Sequence, residues 1–472
     1  MLVALVLASP LTAAVAATLS GAAAGTVGRA SHAPRTPIHH FVALLQENHT
    51  FDNYFGTYRG ADGIPAGTCM PVDPAKGRKP CVRPFHIGHR AITDLDHSSF
   101  AARLDRSGGR MTGFVVAQTL RSANGRQAMG YYDGRDLPFY WNMADRYVLF
   151  DHFFSSALGG SYANHVYWVA AGTGQAINYH PSHKGANVTD SVPPHGLRIT
   201  TIFDRLQRAG LSWKFYVQNY DPTITFKTLR HLTNANRASQ AVWVPLLDIP
   251  RFLKSPVLMS HIVDLSEYYR DLRDGTLPDV AYIVPSGASE HPPGSIATGQ
   301  RFVRGLVNAL MASKEWNDSA LMMAYDDWGG WYDHVPPPHR DANGDGFRVP
   351  AMLVSPYARQ RAIIHTTLDF TSMLKFIEYN WNLRPLTRLD ATAGGLSSAF
   401  DFAEEPRPPE IIPVTRVVAA PLVSTSRDPL LYGLYGAGVS FAFATMFLAV
   451  LPARRRQYRR RHAAAQRRDG SA

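Results

Sequence analysis

Two adjacent carboxylates, Asp326 and Asp327, end the apolar run Leu321 to Tyr325; a glycine pair, Gly329 and Gly330, then leads to Asp333 and His334. Like charges side by side repel, and burying them at a strand end is costly unless a cation pairs with them. A divalent metal is the simplest such cation, and sites in open α/β sheets gather at the C-terminal ends of strands. The competing reading is a solvated acidic turn after an edge strand. A second apolar run, His40 to Gln46, ends in Glu47, Asn48 and His49. A carboxylate and an amide there are hard oxygen ligands, or simply a strand-exit turn. Ser161 follows Gly159 and Gly160, with Asn164 about one turn later if a helix starts there. Ser161 either caps that helix or presents a nucleophile where free helix amides can hold an anionic phosphoryl group. It is not a hydrolase elbow, because Ala163 stands where that motif needs glycine. His291 lies in a loop, and His97 on a short segment where a lone histidine is more often structural. Oxygen ligands, one hydroxyl and several imidazoles together suit metal-assisted phosphoryl transfer.

Strands and helices must bring these groups together. A helix over Leu137 to Asp145 precedes a strand over Tyr147 to Phe150; a glycine-closed helix, Thr201 to Gly210, precedes a strand over Leu211 to Val217. The alternation continues with a strand over Val280 to Val284, a helix near Gln300 to Ala312, strands over Leu321 to Tyr325 and Val349 to Val354, and a helix over Thr366 to Trp381. Such alternation predicts an α/β fold with a mainly parallel sheet and helices on both faces. The candidate groups then fall at strand ends or in the loops beside them.

Five spaced motifs carry a resemblance. Glu47-Asn-His-Thr-Phe-Asp-Asn-Tyr-Phe-Gly56, Met129-Gly-Tyr-Tyr, Asp136-Leu-Pro-Phe-Tyr140, Glu290-His-Pro-Pro293 and Tyr325-Asp-Asp-Trp-Gly-Gly-Trp-Tyr-Asp-His-Val335 resemble the bacterial phosphoesterase family of phospholipases C and acid phosphatases, within the alkaline phosphatase superfamily. The resemblance spans about residues 38 to 384. It implies an α/β/α sandwich with one divalent metal held by Glu47, Asn48, Asp326 and Asp327. It implies Ser161 as nucleophile, with Asn164 aligned beside it, and His97, His291 and His334 as active-site histidines. The implied substrate is a phosphate ester, phospholipid included. Oxygen-rich ligation favours Ca²⁺, Mg²⁺ or Mn²⁺, with Zn²⁺ still open. Three departures stand against that pattern. Asp327, as in the acid phosphatases, stands where the phospholipases usually carry glutamate, which bears on metal preference. Phe370 in place of the histidine of an Asp-His-Thr-Ser motif, and a stalk and apolar span in place of the larger phospholipases' C-terminal accessory domains, both weigh against lipid as the substrate. A sulfatase is disfavoured, since Cys69-Met-Pro-Val-Asp73 lacks the required arginine. The rival class is a catalytically weak, membrane-anchored surface binding protein that keeps the fold.

Charge and hydropathy set the expected compartment. The chain has 472 residues and a net charge of +11, but its last nineteen residues hold eight arginines against one acid. The basic balance therefore belongs mostly to a tail, and the body shows no stripe suited to nucleic acid. Before the tail, residues 430–451 are uncharged and mainly apolar. A helix there, at about 1.5 Å per residue, would span a bilayer core of roughly 30 Å. With arginines following, the tail (452–472) is expected in the cytoplasm and the catalytic domain (38–384) outside. Residues 385–428 read as a proline-rich stalk, and residues 1–25 as a signal peptide or apolar segment lacking a basic start. Outside the cytoplasm Cys69 and Cys81 are expected to pair.

Overall fold

The apolar runs at residues 40 and 320 become neighbouring parallel strands at the centre of an eight-stranded sheet. In the computed structural model of the protein, residues 32–121, 124–174, 192–232, 235–341 and 344–416 are described. The sheet strands in chain order are β1 (His40–Gln46), β2 (Val148–Phe150), β3 (Trp213–Val217), β4 (Ile262–Asp264), β5 (Val280–Val284), β6 (Ser319–Tyr325), β7 (Ala351–Val354) and β8 (Ala362–Ile364). Their spatial order is β8-β2-β7-β6-β1-β5-β3-β4. Every side chain of β5 and β6 is buried, as strands covered on both faces require. Only β7 is reversed: it runs antiparallel to both β6 and β2, while the remaining pairs are parallel. The fold is thus mixed α/β with a large, mainly parallel sheet.

The helices that matter for the site are α1 (Phe51–Phe55), α2 (Pro138–Ala144), α3 (Ser161–Ala170), α4 (Ile202–Ala209), α5 (Ile296–Met311) and α6 (Phe370–Asn380). Helix α3 is buried along its whole length. Trp168 on it meets Tyr282 of β5 at a ring-centroid separation of 4.3 Å. Asp369 caps α6 by accepting from the Thr371 amide, and Phe370 packs against Phe153 at 5.8 Å in the core. The side chain at the motif's altered position therefore supports the fold.

Cys69 and Cys81 form a disulfide across a sequence separation of 12. Closing a loop of that size contributes about 3 kcal/mol in the chain-entropy account. Residues 385–416 lie along the body and include a short helix, Arg388–Thr392. Ile412 is buried, the Asn142 amide donates to the Pro413 and Thr415 carbonyls, and Arg416 pairs with Asp145 and covers the Trp141 ring at 5.4 Å. The N-terminal apolar segment (1–25), the rest of the expected stalk from 417, the apolar span 430–451 and the tail 452–472 lie outside the described residues. Among the described residues no helix is long and apolar enough to cross a membrane.

Candidate active site

Strand register explains why two distant acidic motifs meet. Gln46 of β1 pairs with Tyr325 of β6, so Glu47 and Asp326 leave the sheet at the same level. The Asp326 amide donates to the Gln46 carbonyl at 3.0 Å, and the Asn48 amide donates to Asp326 Oδ1 at 3.2 Å. Asn48 takes a left-handed conformation, φ 65°, which asparagine tolerates better than most residues. That turn aims its side-chain amide at Asp327 Oδ1, 3.1 Å away. Gly329 answers from the other loop: its amide donates to Asp327 Oδ1 at 2.8 Å. Its φ is +57°, and an added Cβ would lie 2.3 Å from the Asn48 carbonyl oxygen.

Ser161 joins this group from α3. Gly160 is the N-cap and makes no side-chain capping bond, so Ser161 is the first helical residue. Its hydroxyl donates to Asp327 Oδ2 at 3.1 Å and approaches Glu47 Oε2 at 3.5 Å. The capping alternative for Ser161 fails on this geometry. Asn164, aligned beside Ser161 by the resemblance, is engaged in the loop before the helix. It accepts from the Ala157 amide at 2.8 Å and donates to the Gly159 carbonyl at 3.0 Å. It fixes the turn that presents Ser161.

The electrostatics call for a cation. Glu47, Asp326 and Asp327 are all buried. Burial first, then mutual repulsion, pushes Glu47 and Asp326 well above the ordinary carboxylate range; burial likewise raises Asp327. Asn48 Oδ1 and Asp326 Oδ2 are buried with no hydrogen-bond partner among the described residues. Buried acceptors are normally satisfied, and these two face a cluster of carboxylates that cannot all ionise unaided. The donor set fits a divalent ion.

One member of the cluster, His165, was not singled out by its sequence context. His165 is buried, with Nε2 3.2 Å from Glu47 Oε1 and 3.7 Å from Asp326 Oδ2. Burial lowers its pKa, against the neighbouring Asp326 and Asp327, and so favours the neutral imidazole. Glu47, His165 and Asp326 form one of the groups able to hold a metal ion. The signal was available in helical spacing, since His165 stands four residues after Ser161 and so shares its face.

The other histidines divide. His97 and His291 meet edge-on at 5.3 Å. An added Cβ on Gly160 would lie 3.3 Å from the His97 carbonyl and 3.9 Å from Asp327 Oδ2, so the serine turn runs between them. Burial opposes charge on His97, but Asp327 and then Asp94 outweigh it and push its pKa up to about 9. Nδ1 of His97 is held by the Leu95 carbonyl at 2.7 Å, and Nδ1 of His291 lies 2.8 Å from the Pro292 carbonyl. His334 goes elsewhere: its contacts are Asp52 Oδ2 at 2.7 Å, Asp62 Oδ1 at 3.1 Å and Arg348 at 3.3 Å. Asp333 likewise pairs with the buried Arg348 at 3.1 Å. Proximity in sequence to Asp327 does not bring either side chain to the carboxylate cluster.

Behind His291 lies Glu290, the first residue of the Glu290-His-Pro-Pro293 motif. Its buried carboxylate accepts from three phenols: Tyr54 at 2.5 Å, Tyr140 at 2.5 Å and Tyr325 at 2.7 Å. These come from α1, α2 and β6, so one carboxylate ties the His291 loop to three elements.

The sequence model of the Phosphoesterase family matches residues 38–384. Phospholipase C B of Mycobacterium tuberculosis is 30% identical over 429 residues, covering 79% of this chain and 79% of that protein. The non-hemolytic phospholipase C of Pseudomonas aeruginosa is 28% identical over 432 residues, 79% of this chain and 58% of its own length. A solved structure of an alkaline phosphatase superfamily protein from Vibrio parahaemolyticus has a TM-score of 0.33 and 10% identity, covering 73% of this chain and 68% of that one. The family and its relatives define a phosphoric ester hydrolase. The chain belongs to the Phosphoesterase family.

Proposed function

We propose that the chain hydrolyses phospholipid phosphodiesters in the manner of a phospholipase C, through a phosphorylated Ser161 and with one divalent metal ion, on the outer side of a membrane. One observation carries the serine: its hydroxyl sits at a buried helix start, within hydrogen-bond distance of Asp327 and inside a set of carboxylates with unsatisfied oxygens. Glu47, Asn48, Asp326 and Asp327 would hold the ion, with His165 beside them. Such an ion lowers the pKa of a nearby hydroxyl and offsets phosphate charge.

The chain's own groups do the rest. Ser161 Oγ gives its proton to Asp327 Oδ2, the acceptor it already faces, and bonds to phosphorus while the bond from phosphorus to the departing alcohol breaks. Free amides at the start of α3 hold the phosphoryl oxygens. His291 gives the alcohol its proton, with His97 packed against it. Water then releases Ser161. The relatives named as phospholipases C support a lipid substrate. The disulfide, the apolar span 430–451 and the arginine tail support an extracytoplasmic site.

Assay of purified protein against aryl phosphate monoesters, aryl diesters and phosphatidylcholine vesicles, each with and without chelator, tests this reading. Chelator-sensitive release of phosphocholine is expected. Hydrolysis of aryl esters alone would place the substrate among soluble phosphate esters, and indifference to chelator would remove the metal.

A further inference from the structure

A second cluster stands on the same edge of the sheet and plays no part in the proposed reaction. β2 and β8 are parallel neighbours with Phe150 opposite Ile364. The residues that follow them, Asp151 and His365, therefore emerge side by side, just as Glu47 and Asp326 do. His365 Nδ1 lies 2.9 and 2.8 Å from the two Asp151 carboxylate oxygens, and His152 Nδ1 lies 3.1 Å from Oδ1. Asp151 is buried, whereas the His365 side chain is 61% exposed. The three ligand atoms all fall within 4.8 Å of one another.

Three features point to a metal and to its kind. The first is spacing. A tetrahedral zinc ion with ligands at about 2 Å holds their atoms about 3.3 Å apart. The imidazole–carboxylate separations need widen by only a few tenths of an ångström, and the two imidazole nitrogens already lie within 4.8 Å of each other. The second is orientation. His152 Nε2 lies 3.4 Å from Asp62 Oδ2. A carboxylate on the far nitrogen is the arrangement that fixes the tautomer of a metal-bound imidazole and leaves the other nitrogen free to ligate. The third is charge. Asp52, Asp62, Asp151 and Asp333 crowd this region, and Arg348 answers Asp52 and Asp333 at 3.0 and 3.1 Å. At Asp151, Arg348 reaches only the backbone carbonyl, at 2.9 Å, so its carboxylate is met by the two imidazoles and by the Asp62 amide, 2.9 Å from Oδ2, with no cationic side chain of fixed charge on it.

We propose that Asp151, His152 and His365 form a second metal site, selective for a borderline divalent ion such as Zn²⁺ and open to solvent at its fourth position. Two imidazoles and one carboxylate suit such an ion, in contrast to the oxygen-dominated cluster around Asp326. The site would pin β8 to β2. Through Asp62, which also bonds His334, it would steady the loop that follows the Asp326 cluster.

Equilibrium dialysis of the full chain against Zn²⁺, read by elemental analysis, tests this. His365→Ala and His152→Ala should each bind one equivalent fewer than wild type. His365 is largely exposed, so its removal leaves the fold intact. With Asp326→Ala as background, adding His365→Ala should remove a further equivalent, which separates the two sites. Co²⁺ loaded into wild type should give tetrahedral visible absorption that His365→Ala abolishes. Equal Zn²⁺ content in wild type and both histidine variants would overturn the proposal, as would Co²⁺ absorption that survives His365→Ala.

Discussion

At the scale of single residues, Ser161 and Glu290 separate chemistry from support. Ser161→Ala removes only a hydroxyl at a helix start, so folding and metal content should persist while turnover falls by about three orders of magnitude or more. Acid quenching of the wild type during turnover should trap phosphate on a peptide containing residues 159–165, and the variant should trap none. Glu290 makes a pH prediction. Burial, against the opposing hydrogen bonds of three tyrosines, pushes its carboxyl up from 4.5 to about 7. The folded protein thus holds a proton that the unfolded chain gives up between those values. Its contribution to stability is complete below the lower one and lost as pH rises through the upper, about 3 kcal/mol in all. Urea unfolding at several pH values across that window should show this decline in wild type and a flatter profile in Glu290→Gln.

At the scale of elements, the site depends on two parallel strands in fixed register and on loops that nearly touch. Gly329→Ala would drive a methyl into the Asn48 carbonyl and require a conformation that alanine disfavours. A cost on the order of 1–3 kcal/mol in stability is expected. Activity should fall about a hundredfold, because the loops carrying Asn48 and Asp327 must part. Thermal melting and kcat on an aryl phosphate, measured together, check both. Much of this was legible beforehand. Phe41 to Leu45 and Leu321 to Tyr325 are apolar without a break, so they read as buried strands, and the acids beyond them read as a site. The direction of β7 was not legible, since an apolar run has the same pattern in either sense. Neither was the fate of His334. Its ring is drawn to Asp52, which lies 282 residues away, and no local spacing reports such a partner. Asn164 was placed correctly along the chain, but its bonding to the loop depends on a turn visible only in three dimensions.

At the scale of the whole molecule, the described segment after residue 384 is fastened to the body by Asn142, Arg146 and Arg416. A chain ending near Thr425 keeps all these contacts and loses the apolar span, so it should be exported, soluble and active. Fractionation of cells carrying both forms decides this: the full chain should sediment with membranes and the shortened one should appear in the medium. The order of strands has a further consequence, for synthesis. β1 lies near the start of the chain, yet its two neighbours in the sheet are β5 and β6. Neither flank of β1 can be covered until the ribosome has made residues 280–284, and the second flank waits until 325. For most of its production the nascent chain therefore carries an unpaired apolar strand, the kind of surface that chaperones and export channels engage. The strand made first is seated only when most of the domain already exists.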